Sequence, residues 1–418
     1  MFKKKILDNG IVVLLQNIPY VSSVSVGFTV KMGSRFEPIS AQGYSHFVEH
    51  MLFKGTHKRS AKDIAREVDK MGANINAATN REYTMYYIHA MSDYLNNSMD
   101  ILVDMLKNSI FDKQEMEREK TVILEEIKMY EDAPSEHVYD IFMKSFIPNQ
   151  ELGRPVIGTV DSIKQCTRSK LIDFYHGFYG HNKLILSVAG NLKTDAFLKD
   201  WEKLNVFQSD MIKPNKTKKV QYHYGANFLD KDISQVNFVL GFPGIKANHK
   251  LRYALYILNT LIGGGMSSIL FQEVREKKGL CYSIYSNPVS YEDTGMFLIS
   301  SSTNPEMSYE AFDTILDICK TIRDKGFTNT EIEETKNQIK GQMALASENV
   351  EYLMNRMSAQ ERVYGEYFSI QDTFAKIDAV TPQEVRELID IIFTDDLRYH
   401  FASVGPKDHF KSVEKLVM

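Results

Sequence analysis

The sequence predicts an α+β fold in two domains, and three observations predict it. Its 418 residues exceed what one ordinary hydrophobic core organises. Stretches with the two-residue period of a strand and stretches with the 3.6-residue period of an amphipathic helix both occur, without the strict alternation of an all-parallel sheet. Near the middle, SDMIKPNKTKKVQ (209–221) is polar, holds a proline and lacks apolar periodicity, as a linker does. The expected domains are therefore 1–208 and 222–418, joined by 209–221, each long enough to bury its own core.

The elements follow in chain order. Asn9-Gly10 lies between ILD and IVVLLQ and predicts a hairpin. Val24, Val26, Phe28 and Val30 alternate with small polar residues, which predicts a strand with one buried face. Ser60 followed by Asp63 predicts the cap of a helix carrying Ile64, Val68 and Met71. Residues 80–89, rich in Thr and Tyr, predict a strand, and 94–106 and 112–130 predict helices. The second half restarts with a strand over 235–242, a helix from about residue 250 and a glycine break at 263–265. This order resembles the first half and hints at a duplication.

Composition narrows the function. The chain is 43% hydrophobic and 25% charged with net charge −4, and no basic block speaks for nucleic acid. MFKKKILDNG starts with charge, but its apolar run breaks at Asp8, Asn9 and Gly10, too early for a signal peptide. No stretch reaches the roughly 18 apolar residues of a membrane span. A soluble, cytoplasmic protein is expected, with a mature organellar form left open. Cys166, Cys281 and Cys319 are too widely spaced for a disulfide framework or a CxxC metal pair, so free thiols are expected.

The chemistry concentrates in GYSHFVEHMLFKGT (43–56). Treated as a helix, 45–53 places His46 and His50 one turn apart on one face, with Glu49 at its edge and Phe47, Val48, Met51 and Leu52 turned to a core. Two imidazoles so spaced can close on one zinc ion, and the glutamate suits a general base. H-x-x-E-H is a signature of inverted zinc peptidases. Histidine pairs of this spacing also occur on solvated helices. Three protein ligands would need one more residue. Glu119 and Glu126, seven apart in the helix over 112–130, share a face that Val122 and Ile123 place near a core. EREK and EEIK equally suit a charged outer face.

These residues together resemble the pitrilysin/insulysin family of zinc metallopeptidases, in its mitochondrial processing peptidase-like branch with bacterial members. GANINAATNREYTMYY (72–87) is similar to the family's Asn-Ala-x-Thr segment, EREKTVILEEIKMYED (117–132) to its glutamate helix, and GGGMSSILFQEVREKKGLCYSIYS (263–286) to the hallmark of its second domain. The resemblance implies that His46, His50 and Glu126 bind one zinc ion per chain, that Glu49 activates the attacking water, and that Glu119 supports the site without being a ligand. It implies that Asn76 and Ala77 lie along the substrate backbone, on an edge strand that a peptide could extend. It implies that Arg275 and Tyr282 reach the bound peptide as donors to developing charge. Taken alone, Arg275 also reads as a surface ion-pair residue beside Glu273, Glu276 and Lys277, Tyr282 as a core aromatic and Asn76 as a turn residue.

Two sites carry nothing further. GGGMSS lacks the lysine of a phosphate loop, and His57, His89 and His137 are expected in a loop, a strand and a helix face. The family likeness implies two homologous α/β-sandwich domains of mixed or antiparallel sheet that form half of a clamshell chamber. Two chains would close it, with a homodimer expected, acting on unfolded oligopeptides or presequence-like segments. The alternative is a catalytically silent core subunit of the same fold, which the presence of His46, Glu49, His50 and Glu126 speaks against.

Overall fold

A computed structural model of the chain describes residues 2–207 and 217–406. In chain order its strands and helices are β1 (Phe2–Ile6), β2 (Val12–Asn17), β3 (Ser23–Val30), α1 (Tyr44–Leu52), α2 (Ala61–Lys70), β4 (Asn74–Thr79), β5 (Thr84–Met91), α3 (Leu95–Asn108), α4 (Lys113–Asp132), α5 (Pro134–Phe146), α6 (Val160–Lys164), α7 (Arg168–Phe178), β6 (Leu184–Gly190) and α8 (Thr194–Trp201). The second half adds β7 (Gly225–Asp230), β8 (Val236–Pro243), α9 (Arg252–Gly263), a π-helical stretch (Phe271–Lys277), β9 (Ser283–Ser290), β10 (Gly295–Thr303), α10 (Ser308–Lys325), α11 (Asn329–Ala346), α12 (Val350–Tyr364), α13 (Ile370–Asp378), α14 (Pro382–Ile392) and β11 (His400–Gly405).

Each of two compact units is built on one mixed sheet. The first sheet runs β1-β2-β6-β3-β5-β4, and only β2 and β6 pair in parallel. The second runs β7-β11-β8-β10-β9, and only β7 and β11 pair in parallel. From the parallel pair onward the two sheets share one order of strands and orientations, so the expected α+β duplication holds at the level of topology.

The units are not the two halves of the chain. The first takes Met1–Lys128, Arg154–Thr217 and Ala346–Tyr367, and the second takes Met129–Gly153, Lys218–Leu345 and Phe368–Met418. The expected linker 209–221 lies at one crossing; its residues up to 216 are outside the described residues, and 217–221 form no regular element. The other crossings come from two helices. α12 of the second half supplies Leu353, Met354 and Met357 to an apolar cluster with Leu14, Ile18 and Ile185 of the first sheet. α5 of the first half supplies Phe142 and Phe146 to a cluster with Val239, Leu298 and Val404 of the second.

This exchange explains a difference from the sequence. β3 is buried on both faces, not one, because it is central and α12 covers its polar side. There Ser25 pairs with His89 Nδ1 at 2.8 Å, and Ser358 Oγ donates to Thr29 Oγ1 at 2.6 Å. A second difference concerns 80–89. The strand starts at Thr84, and 80–83 is a tight turn closed by the Asn80 N–H to Tyr83 carbonyl bond of 2.8 Å.

The other expected elements form for the reasons the sequence offers. Gly10 turns the β1–β2 hairpin at φ 89°, a left-handed conformation that glycine adopts without strain. Ser60 and Asp63 close a reciprocal capping box on α2. Asp112 Oδ1 accepts the Gln114 and Glu115 N–H groups at 2.8 and 3.0 Å and starts α4. Cys166 and Cys319 are buried, Cys281 is half-buried, and all three are free. Among the described residues no helix is long and apolar enough to cross a membrane.

Candidate metal centre

The site is built on α1, and α1 is fixed at its start. Gly43 caps the helix at φ 84°, where a Cβ would lie 2.5 Å from the Ile157 carbonyl oxygen, so only glycine fits. The buried Glu37 carboxylate accepts the Gly43 and Ser45 N–H groups at 2.7 and 2.6 Å, satisfying donors the helix leaves open. Burial outweighs these bonds and pushes Glu37 up to about 7. Phe47, Val48, Met51 and Leu52 are fully buried and anchor the opposite face.

That anchoring leaves His46 and His50 together, with ring centroids 4.6 Å apart. Glu126 of α4 meets them: its Oε2 lies 3.8 Å from His46 Nε2 and 3.6 Å from His50 Nε2. One ligand atom from each of the three lies within 4.8 Å of the others. Glu119, two turns earlier on α4 and 5% exposed, directs Oε2 at His50 Nδ1 at 3.0 Å, while its Oε1 takes Lys54 Nζ at 2.7 Å. With Nδ1 as donor, the Nε2 lone pair of His50 faces Glu126.

Electrostatics points the same way. Burial, with His50 adding to it, pushes His46 down to about 3, so its ring is neutral at ordinary pH. Its Nδ1 is buried and has no hydrogen-bond partner among the described residues. Burial also raises Glu126, against the opposing pull of His50. Two imidazole lone pairs and a carboxylate oxygen aimed at one point repel unless a cation lies among them. An N2O donor set is one that zinc takes, and the edge of a tetrahedral site with such ligands is about 3.3 Å. The two distances to Glu126 are a few tenths of an ångström longer, and all three donor atoms lie within 4.8 Å of one another, so the residues present suit a divalent cation once they draw together around it.

Glu49 is on the same helix, next to His50. Its Oε2 accepts a hydrogen bond from Thr79 Oγ1, at the end of β4, and burial raises its pKa. Among the described residues β4 is the outer strand of its sheet, paired with β5 alone. Ala77 shares the Thr79 side of β4, and Asn76 is exposed on the other side, where its Oδ1 accepts the Ala77 N–H at 2.9 Å. Asn76 is thus a strand residue and not a turn residue.

Arg275 and Tyr282 belong to the second unit. Arg275 lies in the π-helical stretch with its guanidinium 4.7 Å from the Phe271 ring centroid. Its approach to Glu276 is loose at 3.9 Å, while Glu273 pairs with Lys277 at 2.5 Å, so the surface ion-pair role falls to Lys277. Tyr282 is 61% exposed, which rules out a core aromatic. His57, His89 and His137 lie in a loop, in β5 and on α5, outside the cluster.

One expectation for α4 is corrected. Ile123 is buried, but Val122 is 48% exposed, so the buried stripe of α4 runs through Met116, Glu119, Ile123 and Ile127 alone. Three contributors escaped the sequence reading. Glu37 caps α1, Lys54 holds Glu119 and Thr79 holds Glu49. Lys54 had a legible signal, since it follows His50 by one turn.

Comparison with known proteins gives a consistent result. Residues 12–160 match the family description Insulinase (Peptidase family M16), and residues 165–339 match Peptidase M16 inactive domain. A Bacillus subtilis protein named uncharacterized zinc protease YmxG is 37% identical over 412 residues, which is 99% of this chain and 100% of that protein. An uncharacterized zinc protease of Rickettsia felis is 35% identical over 395 residues, 94% of this chain and 92% of its own length. Among solved structures, a protease from Helicobacter pylori superposes with TM-score 0.90 at 21% identity, covering 97% of this chain and 100% of that one. A peptidase M16 inactive domain from Pseudomonas fluorescens gives 0.88 at 19%, covering 97% and 98%. At these identities the two structures speak for the fold.

Proposed function

The chain belongs to the insulinase family of peptidases, M16, and from that premise we propose that it is a zinc-dependent endopeptidase cleaving unfolded oligopeptides or presequence-like segments inside a chamber closed by two copies of the chain. The observation that carries the proposal is the meeting of His46, His50 and Glu126 within 4.8 Å, beside a glutamate held by its own hydrogen bond.

His46 Nε2, His50 Nε2 and Glu126 Oε2 would hold the ion. When bound, zinc supplies Lewis acidity that polarises a peptide carbonyl and makes a nearby water a better nucleophile. The chain's own residues do the rest. Glu119 keeps His50 in the tautomer that offers Nε2. Glu49 takes a proton from the attacking water and returns it to the leaving amine. Burial favours this work, because a carboxylate whose pKa is raised by desolvation is a stronger base toward the water proton. The open edge of β4 at Asn76 and Ala77 offers main-chain groups to an extended substrate, which reads little side-chain sequence. Arg275 and Tyr282, exposed and without strong partners, supply donors to the substrate carbonyls. A chamber that admits extended chains excludes folded proteins, which sets the substrate class.

The test is digestion of an unstructured peptide library by the full-length protein, with and without a chelator. Cleavage that a chelator abolishes and zinc restores is expected. A protein that binds zinc stoichiometrically and cleaves nothing would instead be the silent core subunit. Homodimerisation is tested by sedimentation, with a species of twice the 48.0 kDa chain mass expected.

A further inference from the structure

We infer that Thr79 is the positioning residue of the Glu49 base, tying that carboxylate to the open edge of the first sheet, so that the strand a peptide would extend and the base move as one piece. The inference rests on the role of Glu49 given above.

Thr79 ends β4, and alternation turns Ile75, Ala77 and Thr79 to one side of the strand. Of these only Thr79 carries a hydroxyl, and its Oγ1 donates to Glu49 Oε2. Among the described residues no other side chain donates a hydrogen bond to this carboxylate.

The end of an edge strand is ordinarily free to fray. Here it is fastened from behind. The Ser34 and Arg35 N–H groups donate to the Asn80 and Arg81 carbonyls at 3.2 and 2.8 Å. Gly33 passes so close that a Cβ would lie 2.2 Å from the Asn80 oxygen. Buried Arg35 pairs with buried Glu82 at 2.7 Å, and Arg362 of α12 stands 3.5 Å from the other Glu82 oxygen and 4.4 Å from the Tyr83 ring centroid. On the inner side Thr79 is registered against Thr84 of β5.

The turn 80–83 is thus a rigid bracket, and the hydroxyl in front of it has a fixed place relative to α1. A glutamate side chain has several rotamers, and a base must lie within hydrogen-bond reach of the proton it takes. A hydroxyl held by a bracketed strand selects one of them. A substrate laid along β4 is placed on the same backbone as the donor that aims the base.

The test is steady-state cleavage of an internally quenched, unstructured peptide by the full-length, zinc-loaded protein. Thr79→Val keeps the shape and removes the donor; kcat is expected to fall about ten- to a hundredfold, with KM within about twofold and bound zinc unchanged. Thr79→Ser restores the hydroxyl without the methyl, and kcat within about threefold of the parent is expected. A Thr79→Val enzyme as fast as the parent overturns the inference, and so does a Thr79→Ser enzyme as slow as Thr79→Val, which would assign the effect to packing. A crystal structure of Thr79→Val gives a check that needs no turnover: the Glu49 carboxylate should leave its place, and an unmoved carboxylate overturns the inference. An active Glu49→Gln enzyme would overturn the base assignment itself, whereas an inactive Glu49→Gln beside a fully active Thr79→Val overturns the role of Thr79 alone.

Discussion

Glu119 Oε2 lies 3.0 Å from His50 Nδ1, on the ring nitrogen opposite the one that faces Glu126. One carboxylate on α4 therefore meets the imidazole at Nδ1, and a second, two turns later on the same helix, completes the three-residue cluster with His46 and His50. The division of labour follows from burial and company. Glu119 is held below its ordinary range by His50 and Lys54 despite burial, while Glu126 is raised by burial.

This arrangement predicts that Glu119→Gln weakens metal binding without abolishing it, by about 10- to 100-fold. Competition with a chromogenic chelator measures it. An affinity equal to the parent's would remove Glu119 from any orienting role.

The bracket behind the β4–β5 turn predicts a large stability effect. Arg35 and Glu82 are 2% and 7% exposed, and removing one partner leaves a buried charge unanswered. Glu82→Ala is expected to destabilise the first unit by about 3 kcal/mol or more. Urea unfolding would reveal it, and a loss below roughly 1 kcal/mol would mean that water satisfies the Arg35 guanidinium.

In the second unit, Phe142 of α5 fills the space that Gly241 of β8 leaves. A Cβ at Gly241 would lie 2.1 Å from Phe142 Cζ. Gly241→Ala is expected to cost about 1–3 kcal/mol through overpacking, and less when combined with Phe142→Leu. A double-mutant cycle with strictly additive effects would contradict this contact.

His400 gives a pH dependence. It is buried in β11 with Nε2 2.7 Å from Ser145 Oγ, and burial, with His223 adding to it, pushes its pKa down to about 4. The unfolded chain takes up this proton near pH 6.5 and the fold only near 4, so the unfolded state binds more protons between them. Stability from this residue is present above pH 6.5 and is lost as pH falls toward 4, by roughly 3 kcal/mol. Unfolding measured across this window should show a shallower acid loss for His400→Gln than for the parent; parallel curves would assign the loss to other groups.

Much of the site was legible because it is local. The i,i+4 pair of His46 and His50 and the seven-residue spacing of Glu119 and Glu126 each place two groups on one helix face without knowledge of the rest. That α1 and α4 meet was implied by the family resemblance and not by spacing. The role of Thr79 escaped because its partner Glu49 lies thirty residues earlier, with the whole of α2 between them, and no local period links the two. The buried polar face of β3 was read as open because the helix that covers it, α12, is more than three hundred residues later. The same holds for α5, whose aromatic residues announce burial without saying which sheet receives them.

The central claim is that His46, His50 and Glu126 grip a single divalent cation, and zinc content by elemental analysis tests it most directly. The parent protein is predicted to carry one zinc per chain, Glu49→Gln to keep it while cleavage stops, and His50→Ala to carry none. Stoichiometric zinc in His50→Ala would contradict the account.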